Sequence, residues 1–154
     1  MADGESGTVP AFADTSALYA RVDEEDAHHA TTQTVFDGIR TGELPYRPVY
    51  VTSHVLGELA TLTMIRLDAA TARTAIERLQ ASDLVTIVHP DADTFATAST
   101  AFTDNQDPEI ALIDQLTAAA ARDRGVSHVF AFDSDFRDLE LTLIPSDVDG
   151  AQRE

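Results

Sequence analysis

The sequence contains no cysteine and no lysine, and all ten of its basic residues are arginine. Without cysteine the chain can have no disulfide framework, no thiolate zinc site and no cysteine nucleophile. It also lacks any segment approaching the ~20 apolar residues of a membrane span, and its first residues show no basic stretch followed by an apolar run. We therefore expect a cytoplasmic protein that does not enter a membrane.

Positive charge is scarce, because 27 Asp and Glu oppose ten arginines for a formal net charge of −17. Hydrophobic residues make up 44% of the chain, so the charge belongs to a folded protein. A lysine-free chain rich in Asp and Thr has the surface bias of salt-in halophiles, and we expect a halophilic archaeon as its source. In molar salt the Debye length falls to roughly 3 Å, which screens repulsion among carboxylates. This weakens, without removing, the objection that so acidic a chain should not bind nucleic acid.

The length of 154 residues predicts one domain. Small polar residues at both ends predict flexible tails over 1–8 and 146–154, which leaves 9–145 as the folded domain. Apolar runs predict strands over 9–13, 49–51, 84–88, 128–132 and 141–144. Helices are predicted from residue 17, over 26–41, 54–66, 68–81 and 91–102, and from a cap at Asp107-Pro108-Glu109 to Arg124. Strands alternating with helices predict an α/β fold with a parallel sheet covered on both faces.

Four carboxylates fall where such a fold can gather them. Asp14 and Asp133 directly follow predicted strands, whereas Glu58 and Asp114 lie one to two turns into predicted helices. Parallel sheets place their sites beyond the carboxyl ends of the strands, so the four can meet there. Clustered carboxylates repel one another unless a cation neutralises them, and oxygen ligands without cysteine select Mg²⁺ or Mn²⁺. Such an ion can polarise a phosphoryl oxygen and activate a water for attack on a phosphodiester.

In this order the residues resemble the PIN-domain ribonucleases, particularly the toxins of VapBC toxin–antitoxin pairs. The resemblance is carried by Asp14-Thr15-Ser16-Ala17 after the opening strand, Glu58 in a helix, Ile113-Asp114 in an Ala-rich helix, and Phe132-Asp133-Ser134-Asp135-Phe136. It implies a PIN-like three-layer α/β/α fold with a central, mainly parallel sheet, and a metal-dependent endoribonuclease acting on RNA. It also implies a homodimer and a small antitoxin whose basic side chain enters the acidic pocket.

The resemblance further implies a role for each site residue. Asp14 and Asp114 look like the main metal ligands, and Glu58 and Asp133 would complete the pocket. Thr15 or Ser16 would orient Asp14 or a metal-bound water, and Asp135 is a supporting neighbour. The chain departs from the family at Ala131, where many relatives carry Thr or Ser.

Each acid also has a purely structural interpretation. Asp14 could cap the first predicted helix, Glu58 could pair with a nearby arginine, and Asp133 could end a strand in a turn. Asp114 borders an apolar stripe, where a charge without a function would be costly. His54 shares a helix face with Glu58, but no third soft ligand is evident and we interpret it as peripheral. Six arginines could contact phosphate, although we expect most to pair with surrounding acids: Arg21, Arg40, Arg47, Arg122, Arg124 and Arg137.

The alternative function is a PIN-like binding or regulatory module with little or no nuclease activity. Two other classes with clustered aspartates, the haloacid-dehalogenase-like phosphatases and the receiver domains, both need a lysine that this chain lacks. Stabilisation by Mg²⁺ or Mn²⁺ and metal-dependent RNA cleavage distinguish the enzyme from the module.

Overall fold

The first strand of the chain lies at the centre of the sheet. The computed structural model describes residues 7–104 and 110–148, and this part of the chain forms five strands and seven helices. The strands are β1 (Val9–Ala13), β2 (Tyr46–Thr52), β3 (Val85–Val88), β4 (His128–Phe130) and β5 (Thr142–Ile144). The helices are α1 (Thr15–Val22), α2 (His29–Thr41), α3 (Ser53–Arg66), α4 (Ala69–Ala81), α5 (Ala92–Asp104), α6 (Leu112–Arg124) and α7 (Asp135–Asp138).

The five strands form one parallel sheet in the order β3-β2-β1-β4-β5. Phe12 of β1 lies opposite Tyr50 of β2, and Ala13 lies opposite Phe130 of β4. Since all pairings are parallel, the carboxyl ends of the strands lie along one edge of the sheet. This edge receives Asp14 at its centre, and the predicted parallel sheet is confirmed.

Helices cover both faces of the sheet and give it two cores. Ala11 and Ala13 of β1 pack into a cluster with side chains of α1, α2 and α3, whereas Phe12 between them packs with alanines of α6. Successive residues of a strand point to opposite faces, so this alternation follows from the strand geometry. The predicted three-layer α/β/α arrangement is therefore confirmed.

Local chemistry fixes several helix ends where the sequence predicts them. The Thr52 hydroxyl accepts a hydrogen bond from the Val55 N–H at 3.0 Å and caps α3, and Asp68 accepts one from the Thr71 N–H at 2.7 Å and caps α4. Such caps are worth about 1 kcal/mol each. Gly42 ends α2 with a φ of 89°, a left-handed conformation that glycine adopts without steric cost.

The chain departs from the predicted elements near the second half of the site. Helix α6 begins at Leu112, because Ala111 is extended with φ −71° and ψ 156°, so the prediction of a helix that follows a cap at Asp107 is wrong at 110 and 111. The predicted cap, Asp107-Pro108-Glu109, lies outside the described residues. Strand β4 stops at Phe130 and not at residue 132, since the Phe132 N–H turns away to the Ser16 hydroxyl. The four-residue helix α7 was not predicted.

The predicted tails are described only at their inner ends. Residues 146–148 lie in a turn in which Asp147 accepts hydrogen bonds from the Arg137 guanidinium at 2.7 Å and from the Leu143 N–H at 3.0 Å. The domain boundaries at 9 and 145 stay a prediction. Among residues 7–104 and 110–148, no helix combines the length and the apolar character needed to cross a bilayer.

Candidate metal centre

Asp14 lies at the point where β1 passes into α1. Its N–H donates to the Phe130 carbonyl at 3.0 Å, which extends the β1–β4 ladder by one residue. Its Oδ2 accepts hydrogen bonds from the Ser16 N–H at 3.4 Å and from the Ser16 hydroxyl at 3.1 Å, and thereby caps α1. The other oxygen, Oδ1, is buried and has no hydrogen-bond partner among the described residues. Capping of α1 therefore accounts for the position of Oδ2 of Asp14, but it does not account for the burial of Oδ1 without a hydrogen-bond donor.

Glu58 reaches the same region from α3. It lies on an exposed stretch of the helix, and its Oε1 accepts a hydrogen bond from the buried Thr15 hydroxyl in the first turn of α1. One turn earlier on α3, the His54 ring stacks loosely on Phe95, with centroids 5.9 Å apart. Thr15 thus holds the Glu58 carboxylate close to Asp14, and His54 contacts an aromatic ring.

Asp114 is a buried acid whose pKa is strongly raised. It lies in the first turn of α6, where residues 114–121 are all buried, and only 6% of Asp114 is exposed. The pKa of Asp114 is raised to about 8, first by burial and then by the negative charges of its acidic neighbours, in the order Asp14, Asp133, Glu58 and Asp135. Burial also raises the pKa of Asp14, assisted by the charge of Glu58, while hydrogen bonds from Thr15 and Ser16 oppose the shift.

Asp133 and Asp135 come from the turn between β4 and α7. The Asp135 N–H donates to Oδ1 of Asp133 at 2.9 Å, which closes the turn between the two residues. Carboxylate oxygens of Asp114, Asp133 and Asp135 lie within 4.8 Å of one another. Asp135, expected only as a supporting neighbour, is therefore a full member of the closest carboxylate group.

The site thus brings together all four predicted acids and a fifth. Asp114, Asp133 and Asp135 converge most closely, and Asp14 and Glu58 are near enough to act on the Asp114 carboxyl. A buried carboxylate oxygen without a donor is costly, and so is a cluster of like charges, unless a cation compensates both. Several carboxylate oxygens at one place suit a hard divalent ion such as Mg²⁺ or Mn²⁺. The residues present fit such an ion.

Two hydroxyls adjoin the acids, and both come from the start of α1. Thr15 donates to Glu58, and Ser16 donates to Asp14 while accepting the Phe132 N–H at 3.5 Å. Ala131, where the sequence departs from the pattern that the resemblance implies, is fully buried in the core. Hydroxyl donors to the acids are therefore supplied by Thr15 and Ser16, and residue 131 supplies none.

The arginines proposed for phosphate contact are mostly engaged elsewhere. Arg21 lies over the Phe36 ring at 4.3 Å, and Arg124 over the Tyr50 ring at 4.9 Å. Arg40 pairs with Asp37, Arg137 pairs with Asp147, and Arg47 donates to backbone carbonyls, whereas Arg122 is exposed. The expected acidic partners are therefore found for Arg40 and Arg137, whereas Arg21 and Arg124 contact aromatic rings.

One feature beside the site was not predicted. The His28 ring stacks on Phe132 with centroids 4.0 Å apart and an interplanar angle of 7°. These two residues are distant in the sequence and share no motif, so only the packing of α2 against the end of β4 brings them together.

Comparison with known proteins identifies the family. The PIN-domain profile matches residues 11–141. The 23S rRNA-specific endonuclease VapC20 of Mycobacterium tuberculosis is 32% identical over 126 residues, a match that covers 81% of this chain and 90% of the relative.

Solved structures agree with this match. The crystal structure of M. tuberculosis VapC20, a sarcin–ricin loop cleaving toxin, superposes with a TM-score of 0.75 at 27% identity and covers 85% of this chain and 95% of that one. VapBC2 from Rickettsia felis, solved with a promoter DNA fragment, gives a TM-score of 0.63 at 12% identity, with 88% of this chain and 97% of that chain covered. FitAcB from Neisseria gonorrhoeae gives a TM-score of 0.59 at 20% identity, and the match covers 86% of this chain and 94% of that chain. The last two matches support the fold alone. The family profile and the relative that is 32% identical show that this chain belongs to the PIN-domain family, among its VapC-like toxin ribonucleases.

Proposed function

We propose that this chain is a Mg²⁺- or Mn²⁺-dependent endoribonuclease and the toxin of a VapBC-type pair. The observation that carries the proposal is the convergence of the buried Asp114 with Asp133 and Asp135, beside an Asp14 oxygen that lacks a hydrogen-bond partner in the described part of the chain. When bound, a divalent ion neutralises these acids, polarises a phosphoryl oxygen and lowers the pKa of a water for in-line attack.

In this proposal each residue has a separate task. Asp14 and Asp114 are the principal ligands, and Asp133, Asp135 and Glu58 complete the pocket. Ser16 binds Oδ2 of Asp14 and fixes the orientation of that carboxylate, which leaves Oδ1 for the cation. Thr15 holds Glu58 towards the site in the same way. Burial of Asp14 and Asp114 keeps bulk water away and strengthens every electrostatic contact made there.

The proposed substrate is ribosomal RNA of the large subunit. The VapC20 relative is a 23S rRNA-specific endonuclease, and its solved structure is that of a sarcin–ricin loop cleaving toxin. The match extends over most of both chains, so the whole domain and not one motif supports a related target. A hairpin with the sequence of the sarcin–ricin loop is the first substrate to test.

The proposed partners are a small antitoxin and a second copy of this chain. Met64, Ile65 and Leu67 at the end of α3 are exposed apolar side chains, and Ile65 is 75% exposed. Such a patch supports the docking of a protein, here the antitoxin, whose basic side chain would enter the acidic pocket. Phe95 and Phe102 lie two turns apart on α5, are each about 40% exposed and would be covered in a homodimer.

The proposed setting is the cytoplasm of a halophilic archaeon. A formal charge of −17 without lysine is tolerated best where molar salt screens the repulsion among acids. Assays therefore belong in about 2 M KCl, where the Debye length is a few ångströms.

The test is RNA cleavage by the purified protein with Mg²⁺, Mn²⁺ or EDTA, on rRNA and on the hairpin. We expect cleavage with either metal, none in EDTA, and a loss of at least about a hundredfold in Asp14→Asn and Asp114→Asn. Asp83→Asn is the matched control, because Asp83 is exposed and precedes β3 at the opposite edge of the sheet. Cleavage that persists in EDTA would contradict the mechanism, and metal binding without any cleavage would favour the binding module.

A further inference from the structure

The His28 and Phe132 rings form a stack whose outer face is open to solvent. Phe132 is half-buried, and its ring packs edge-on against the ring of the core residue Phe130, with centroids 5.9 Å apart. This contact holds the Phe132 ring in place. His28 lies on top of it, 4.0 Å away and nearly parallel, and His28 is exposed. Because Phe132 covers one face of the imidazole, the exposed area of His28 belongs to its other face and its edge.

This stack adjoins the carboxylates. Phe132 directly precedes Asp133, and its N–H donates to the Ser16 hydroxyl, which in turn donates to Oδ2 of Asp14. A single residue, Ser16, thus connects the backbone beneath the stacked ring to a proposed metal ligand. The ring that supports His28 therefore directly precedes Asp133 in the sequence and is linked through Ser16 to Asp14.

The charges of the chain favour an uncharged contact with RNA. Proteins usually gain affinity for nucleic acid from Lys and Arg on phosphates, a contribution that salt removes. Here there is no lysine, and many arginines already contact rings, acids or carbonyls: Arg21, Arg40, Arg47, Arg66, Arg124 and Arg137. Stacking of a base on an aromatic or imidazole ring needs no cation, and every base has a face that can stack.

We propose that the open face of His28, backed by Phe132, binds a nucleobase of the RNA substrate next to the scissile phosphate. This proposal rests on the proposed ribonuclease function. His28 is then a substrate-binding residue that contributes affinity in high salt, and it does not select one base over another by hydrogen bonding.

Two other histidines lie near aromatic rings and differ from His28. The His54–Phe95 pair is wider, at 5.9 Å and 23°. His128 and Tyr46 are tilted by 42° at 6.0 Å, and His128 begins β4, so this pair lies at the edge of the sheet opposite the carboxylates. His128→Ala is therefore the matched control for His28→Ala.

The experiment measures kcat and KM for RNA cleavage, with saturating metal, in low and in molar KCl. We expect His28→Ala to raise KM about tenfold with little change in kcat, equally at both salt concentrations, since a stacked base contributes about that much. His28→Phe should restore KM because it keeps a planar ring, and His128→Ala should leave both constants unchanged. His28 is exposed, so an unchanged Tm verifies that the variants fold.

A second readout does not depend on cleavage. RNA hairpins carrying 2-aminopurine at successive positions around the cut should lose fluorescence on binding wild type at one position, and keep it with His28→Ala. If 2-aminopurine fluorescence is quenched but the RNA is not cleaved, the proposed nuclease activity is wrong and the proposed base-binding site stands. Three results would overturn the proposal of a base site at His28. The first is an unaltered KM in His28→Ala, and the second is a failure of His28→Phe to restore KM. The third is that His28→Ala weakens binding of the antitoxin and not of RNA.

Discussion

The Thr15 hydroxyl donates a hydrogen bond to Oε1 of Glu58, a residue 43 positions away in the sequence. This bond joins the first turn of α1 to α3 and holds an otherwise exposed carboxylate beside Asp14. Glu58 contributes to the electrostatics of the site, since its charge acts on the carboxyls of both Asp14 and Asp114. The position of Glu58 therefore depends on one hydroxyl group.

Replacing Thr15 by valine removes that hydroxyl and keeps the shape of the side chain. We expect kcat to fall about tenfold in Thr15→Val, because a hydrogen bond to a charged group is worth roughly 1.5–3 kcal/mol. Thr15→Ser keeps the donor and should retain most of the activity. Cleavage assays on the two variants check this, and equal rates for wild type and Thr15→Val would show that Glu58 reaches the site unaided.

The raised pKa of Asp114 predicts how the stability of the metal-free protein depends on pH. The folded-state pKa is about 8, whereas that of an unfolded Asp is about 3.9, so between these values folding takes up a proton. The stability contributed by this group is therefore complete below about pH 4 and is lost as the pH rises towards 8. In EDTA, the Tm of wild type should fall over this window.

Asp114→Asn should remove much of this pH dependence. It carries no charge to bury, so we expect its Tm in EDTA near pH 8 to exceed that of wild type by about 5 °C, while its nuclease activity is lost. Thermal unfolding of both proteins over the pH range, in molar KCl, makes the comparison. Parallel curves for the two proteins would mean that Asp114 does not carry the effect.

Divalent metal should stabilise the wild type by binding only the folded state. At a hundred times the dissociation constant the gain is about 2.7 kcal/mol, or roughly 5–10 °C in Tm for a chain of this size. Asp14→Asn should lose most of this shift with Mg²⁺ and Mn²⁺, and Asp83→Asn should keep it. Equal shifts in Asp14→Asn and wild type would remove Asp14 from the ligand set.

The exposed end of α3 predicts a variant that separates antitoxin binding from catalysis. Ile65→Asp places a charge in the centre of the apolar patch, where a docked partner would have to bury it. We expect the antitoxin to bind at least about tenfold more weakly while RNA cleavage is unchanged. Co-purification and inhibition assays at molar KCl test this, and full inhibition of Ile65→Asp would place the antitoxin elsewhere.

Features that depend on a few neighbouring residues could be predicted from the sequence. Thr52 caps α3 and Gly42 ends α2 because each satisfies backbone groups within one turn of itself. The parallel sheet followed from the alternation of strands and helices, and the placement of Asp14 and Asp133 at its carboxyl edge followed from the sheet.

Features that depend on packing between distant segments could not be predicted. Asp135 joins the acids in a turn where its N–H donates to Asp133, whereas the sequence predicted only a supporting neighbour and left an ordinary strand end as the alternative. The end of β4 at Phe130 depends on Ser16, which diverts the Phe132 N–H. The stacking of His28 on Phe132 likewise depends on the position of α2.

The order of the strands in the sheet has a consequence for the synthesis of this protein. The central strand β1 is made first, and its partner β4 is made more than a hundred residues later, together with the segments that bear Asp114, Asp133 and Asp135. A chain that is cut short before α6 therefore holds only Asp14 and Glu58 of the acidic group. If the acids of the second half are required as proposed, a competent nuclease exists only after nearly the whole chain has been translated, and we expect shorter products to leave RNA uncut.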